Sequence, residues 1–278
     1  PLNEYSVRVL DLQYLEAQQG GVNDFLLTLW GDDGAECPYY AVLPTIAYLA
    51  EKNLENAGGF ADALLKKLTN YSYEEWLALD LPNRLYDGDK ALLCNPAKYL
   101  FYVDPFFGIE ELSFAPDYGE RYQAISKRLK TLANRRSQFS YLYKTAYRLS
   151  EYLEIKSTLT VDIDNAYKNG DRKALEQLVN TTIPSAEKRL RAFITSFTKQ
   201  WHTDSKPFGF EVQEFRLYGG LARLVSVRKK LKAYLDGKIN KILELEEVKL
   251  SRPVVATDEA NGCKLYCGVS VTITYATT

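Results

Sequence analysis

Residues 22–30 read VNDFLLTLW, and its FLLTL stretch is apolar at nearly every position. Successive side chains of a strand point to opposite faces. A strand built from FLLTL is therefore apolar on both faces and belongs in a parallel sheet covered by helices. No second strand of this kind follows nearby. A lone two-faced strand leaves both edges and both faces without partners. The expectation is that the sheet this strand completes is missing from the chain, which then reads as the tail of a larger protein. The chain opens on Pro1 and holds no methionine. Either it is a fragment of a longer frame, or its methionines are not represented.

Helical periodicity flanks the strand. Leu2, Tyr5, Val9, Leu12 and Leu15 recur at three- and four-residue steps, which predicts an amphipathic helix over 3–19 that ends at Gly20-Gly21. Tyr40, Leu43, Ala47 and Ala50 predict a helix over 39–55, with Pro44 in its first turns. Helical stretches at 59–69 and 72–79 lead into a turn-rich LDLPNRLYDGDK. NPAKYLFYVDPFFGIEEL (95–112) reads as an extended aromatic segment bounded by prolines, docked between the two halves. From Tyr118 the spacing becomes that of long helices. Phe139, Leu142, Ala146, Leu149, Leu153, Leu159, Ile163 and Ala166 form one stripe, interrupted by Lys156 and stopped at NGD (169–171), where Asp171 is the next N-cap. Leu190, Phe193, Phe197 and Trp201 carry a second helix. Residues Leu217 to Leu245 carry a third, making an antiparallel bundle. VSVTITY (269–275) alternates and predicts a short terminal strand.

The chain has 278 residues, 46% of them hydrophobic, enough for a sizeable core. Thirty-five basic residues nearly balance thirty-six acidic ones, so nothing global attracts nucleic acid or an anionic membrane. No apolar run is long enough to span a bilayer. Cys37, Cys94, Cys263 and Cys267 are too few for a disulfide framework, and the spacing of the last two does not suit zinc. No cofactor motif and no metal motif occurs. A histidine-based triad would have to use the single histidine, His202, which sits in QWHTDSKP as a surface turn residue. The basic run RKKLK (228–232) lies opposite an apolar stripe and reads as a solvated face.

The chemistry concentrates where the strand ends, in LTLWGDDGAECPYY. Trp30 and Asp32 lie at the C-terminal end of the strand, where barrel enzymes place their active sites. An indole gives a flat wall for a sugar ring and a carboxylate accepts hydroxyl hydrogen bonds. The alternative, with Trp30 in a core and Asp32 or Asp33 capping the next helix, is equally open on spacing alone.

The segment LTLWGDDGAECPYYAVLP resembles the eighth-strand segment of glycoside hydrolase family 20 β-N-acetylhexosaminidases. The likeness is to a bacterial, cytoplasmic-type branch with a large helical C-terminal domain, whose motif is WGDNGAE. PLNEYS resembles the start of the helix after strand seven, NPAKYLFYVDPFFGI a segment following the barrel, and FEVQEFRLYGGLARL a bundle helix. The resemblance covers most of residues 1–245 and none of the tail. It implies that Trp30 walls the sugar subsite and that Asp32 binds the O4 and O6 hydroxyls. Asp33 stands where the family carries Asn, and Glu36 supports the loop. It also implies substrate-assisted retaining catalysis, with an Asp-Glu pair on strand four that has no counterpart in this chain. The substrate would be an N-acetylhexosaminide oligosaccharide or glycoconjugate, removed one terminal sugar at a time.

The expected fold is thus an α/β fragment followed by a mainly α-helical bundle domain with a short β tail. The fragment is the last helix–strand–helix of a TIM barrel. The expected boundaries are 1–57 for the barrel end, 58–117 for a connector, 118–250 for the bundle and 251–278 for the tail. A non-enzymatic helical interaction module and another kind of barrel glycosidase are the alternatives, and a homodimer is an open arrangement.

Overall fold

The computed structural model describes residues 1–29, 36–54, 57–85, 96–106 and 116–247. Helices dominate them, and among the described residues no strand is formed. The expected β tail, with VSVTITY, lies outside the described residues.

Helix α1 (Asn3–Gln19) has the predicted bounds. It closes with Gly21 in the left-handed region at φ 69°, which lets Val22 N–H reach Ala17 C=O at 2.9 Å and Gly21 N–H reach Gln18 C=O at 3.1 Å. Its buried residues, however, are Asn3 and Leu10. The predicted stripe is not what it buries: Leu12 is 66% exposed, and Leu15 and Tyr5 are exposed too. Beyond it the strand expected over 22–30 is not formed. Residues 22–29 have no regular secondary structure, and Val22, Phe25, Leu26 and Leu29 are exposed. A strand exists only through hydrogen bonds to a neighbour, and the described residues offer none.

Residues 39–55 split into a 3₁₀ turn (Tyr39–Val42) and α2 (Leu43–Lys52), with Pro44 in the first turn. The α3 (Phe60–Thr69) and α4 (Tyr73–Leu77) helices follow, then a 3₁₀ segment (Ala78–Asn83). Ser72 and Glu75 close a capping box on α4. Trp76 is wholly buried and donates its indole N–H to Thr69 Oγ1 at 2.9 Å.

The extended reading of 95–112 needs correction at 96–102, while 95 and 107–112 lie outside the described residues. Pro96–Tyr102 is a helix, α5, and all seven of its residues are buried. Pro at the first helical position fixes φ where no N–H is needed. A short helix apolar nearly all round is one surrounded by protein, so the aromatic run carried no amphipathic period to read.

The bundle consists of α6 (Tyr118–Ala133), α7 (Ser140–Lys168), α9 (Ile183–Asp204) and α10 (Phe210–Leu235). Cross-helix contacts fix its directions. Gln123 meets Glu154 while Lys130 lies over the Tyr147 ring, so α6 and α7 are antiparallel. Thr145 reaches Ser196 C=O and Arg189 reaches Glu151 C=O, so α7 and α9 are antiparallel. Glu187 pairs with Arg228 and Phe197 packs on Phe210, which sets α10 against α9. The α7 stripe is core as predicted, with Leu153, Leu159 and Ile163 at 0% exposure. Asp171 caps the helix α8 (Arg172–Gln177) through Ala174 N–H, as expected.

Between α8 and α9 lies a π-helical stretch, Leu178–Thr182. Pro184 follows at once, in the first turn of α9. Proline lacks an N–H and its ring crowds the carbonyl four residues back, which is Asn180. Widening that turn relieves both problems. The third predicted helix is interrupted: α10 ends at Leu235, and Ile242 and Leu245 belong to a separate turn at α11 (Leu243–Glu246).

Candidate functional site

The N-terminal segment is tied to the later helices by polar groups. Asn3 Nδ2 donates to Ala41 C=O at 2.9 Å and to Asp80 Oδ1 at 3.0 Å, while Thr45 Oγ1 donates to Asn3 Oδ1. The other Asp80 oxygen accepts the Glu4 N–H at 2.9 Å. A carboxylate at the start of α1 complements the helix dipole. Asp80 is buried, and burial pushes its carboxyl pKa up.

The second tie is Glu36. Its Oε1 accepts the Tyr102 hydroxyl at 2.6 Å and lies 3.2 Å from Arg216 Nη1, while its Oε2 lies 3.1 Å from Lys98 Nζ. Lys98 and Tyr102 are one helical turn apart on α5, so both reach the same side. Arg216, from α10, stacks on the Tyr102 ring at 4.8 Å. The Lys98 side chain is only 5% exposed. A lysine that deep requires a partner for its charge, and Glu36 supplies one.

Helix α5 is itself pinned from behind. Lys156, the residue that interrupts the α7 stripe, is buried and donates to Leu100 C=O at 3.1 Å and Val103 C=O at 2.6 Å. These carbonyls end α5, where a cation is favoured. Burial nonetheless lowers the Lys156 pKa from 10.5 to about 7, with the Asp104 charge opposing the shift. Asp104, just past α5, is gripped by Arg223 of α10 through two bonds at 2.6 and 3.0 Å.

Beside Glu36 and α5 is a cavity of about 160 Å³ whose walls include Phe101, Leu149, Phe193 and Leu217. Ligand sites usually measure roughly 300–1,000 Å³.

Trp30, Asp32 and Asp33 lie outside the described residues; of the sequence-predicted site residues the structure places Glu36. His202 lies in the last turn of α9 rather than in a turn, exposed, with its ring against Phe210 at 4.9 Å. In RKKLK, Leu231 is core, while Arg228, Lys230 and Lys232 pair with Glu187, Glu244 and Asp236. Cys37 is exposed. Among the described residues no cluster could hold a metal ion, and no helix is long and apolar enough to cross a membrane. Sequence reading missed Lys98, Tyr102, Arg216 and Lys156. One signal was present: a lysine inside an apolar helical stripe must find acceptors in the core.

Fold and site together define a mainly helical bundle domain that grips an acidic residue of the segment preceding it. The chain belongs to the Glycoside Hydrolase 20C C-terminal domain family, whose sequence model matches residues 74–262. Membership makes it part of a hexosaminidase-related glycoside hydrolase. No curated protein matches the chain.

Proposed function

We propose that the chain is the C-terminal part of an exo-acting β-N-acetylhexosaminidase. It supplies part of the wall that holds the terminal sugar, and the Asp-Glu pair that performs the chemistry is supplied by sequence outside it. The observation that carries this reading is the unburied apolar surface of the N-terminal segment. Leu12, Leu15, Val22, Leu26 and Leu29 are all exposed, on either side of a helix end and directly before WGDD. Apolar groups placed this way call for a covering layer. The remaining strands and helices of a barrel would provide it, with residues 22–30 pairing as its last strand.

In that setting Trp30 forms the apolar wall for the sugar ring and Asp32 accepts its O4 and O6 hydroxyls. Hydrolysis proceeds with retention through the acetamido oxygen of the substrate. The substrate is the terminal N-acetylglucosamine or N-acetylgalactosamine of an oligosaccharide or glycoconjugate. Two measurements test the reading. The isolated 278-residue chain should not turn over a chromogenic N-acetylglucosaminide, and robust turnover would defeat the proposal. In the complete enzyme, Trp30→Ala should lower kcat/KM by about 2–4 kcal/mol of transition-state binding; an unchanged kcat/KM would remove Trp30 from the sugar site.

A further inference from the structure

We infer that the outer face of α10 is a self-complementary seam, through which two copies of this chain pair antiparallel about a two-fold axis between Phe215 and Gly219. The pairing does not depend on the sugar-site reading.

The inner face of α10 is core, with Gln213, Leu217, Leu221, Leu224 and Leu231 buried. Its outer face is not the polar one a solvated helix presents. Val212, Phe215, Gly219, Ala222 and Ser226 follow one another at alternating steps of three and four, the spacing of a coiled-coil seam. Val212 is 52% exposed and Phe215 77%; Ala222 and Ser226 are exposed and Gly219 half-buried. Phe208, 83% exposed, and Tyr218, 50% exposed, widen the seam at its N-terminal end. The seam is graded, with large residues in its first half and small ones in its second. Gly219 lies in the middle of a long helix, where glycine is unfavourable. The chain's own packing does not ask for it, since a Cβ there would meet nothing within 4 Å. That bare stretch of helix is open to a side chain from outside.

A second α10 run antiparallel fits a graded seam. It lays Phe215 of each copy on Gly219 of the other, and Val212 of each on Ala222 of the other. Sliding the pair one heptad one way sets Val212 on Phe215, bulk on bulk. Sliding it the other way sets Val212 against the charged Lys229. A parallel pair stacks Phe215 on Phe215 and Gly219 on Gly219, overfilling one layer and emptying the next. Charge agrees with the antiparallel choice. Exposed Glu211 and Glu214 mark the N-terminal half of α10, and Arg228 and exposed Lys229 the C-terminal half, so the acidic end of one copy runs along the basic end of the other. The area suffices as well. Aromatic side chains cover about 150–250 Å² each, so Phe208, Phe215 and Tyr218 together expose roughly 400 Å² per copy. Covering them twice, with Val212 and the flanks of the helix, reaches the roughly 1,000 Å² that a specific interface needs.

The test uses the complete protein in which this chain occurs. It should sediment as a dimer at about 50 μM, and a monomer at that concentration overturns the pairing. Phe215→Glu should weaken the dimer about a hundredfold or more. If Phe215→Glu does not fold, Gly219→Leu, which fills the slot for Phe215, takes its place and should also give monomers. A dimer that withstands the substitution uses another surface and overturns the proposal. The register is read by cysteine crosslinking. Val212 and Ala222 are ten residues apart, about 15 Å along one helix, too far for a disulfide within a chain. The Val212→Cys, Ala222→Cys double variant should nevertheless give a covalent dimer on oxidation, and either single variant should not. Crosslinking by Val212→Cys alone, or none above the single variants in the double, refutes the antiparallel seam.

Discussion

The N-terminal segment and the bundle treat the same kinds of side chain in opposite ways. In the bundle, Leu153, Leu159, Ile163, Leu190 and Leu231 are at 0% exposure. In the N-terminal segment Leu26 is 86% exposed and Leu12 66%. The segment is nevertheless well attached, through Asn3, Ala41, Thr45 and Glu36. Asn3 and Thr45 bond to each other and to Ala41 and Asp80, Ala41 and Ala47 join a core with Leu129 and Leu142, and Glu36 reaches Tyr102 and Arg216, while Leu12 and Leu26 stay exposed. On the proposed function, the uncovered apolar side is the one a barrel would cover. Among the described residues Phe208, Val212, Phe215 and Tyr218 around the start of α10, next to Arg216, are exposed too.

The contrast can be broken by mutation. Leu159→Ala should lower the stability of the chain by about 2–5 kcal/mol in urea denaturation, since it opens a cavity in a filled core. A change below about 1 kcal/mol would show that the bundle is not tightly packed. Lys156 gives a pH signature of the same core. Its pKa falls from 10.5 unfolded to about 7 folded, so folding releases a proton between those values. Stability from this group is at its lowest below pH 7 and rises as pH increases toward 10.5. Comparing wild type with Lys156→Met from pH 7 to 10, the difference should move in favour of the wild type. A difference that stays flat means the amine remains charged in the fold. The smallest effect belongs to the other region. Leu26→Ala should change the stability of this chain by less than about 0.5 kcal/mol. The same substitution in the complete enzyme should cost as much as a core leucine. Equal, small effects in both would show that residues 22–29 are never covered.

Much of the bundle was legible because long helices repeat their pattern often enough to be counted. The α7 stripe, the stop at 169–171 and the cap at Asp171 all follow from local spacing and local chemistry. Two failures have different physical causes. In α5, burial on every side erases the period that distinguishes helix from strand, so Pro96–Tyr102 looked extended. In α1 the period was real, but the stripe is not what the helix buries: Asn3, bonded to Ala41, Thr45 and Asp80, and Leu10 are buried instead. The resemblance offered Glu36 only as a loop support, and nothing local in the sequence pointed to the residues that bind it. Lys98, Tyr102 and Arg216 are remote in sequence, and only the packing of α5 against α7 and α10 brings them together. Trp30 and Asp32 owe their assignment to the WGDDGAE stretch and lie outside the described residues.

The grip on Glu36 also sets an order of events during synthesis. Glu36 leaves the ribosome well before Lys156, Arg216 and Arg223. A seven-residue helix such as α5 is too short to persist alone in water, so it must wait for α7 and α10 to fold around it. Until then the acidic loop has no anchor, and the apolar stretch before it stays open to wrong partners. Glu36 therefore finds its place only after most of this chain has been made. Truncation before Arg216 would leave a nascent chain whose Glu36 lacks its partner from α10.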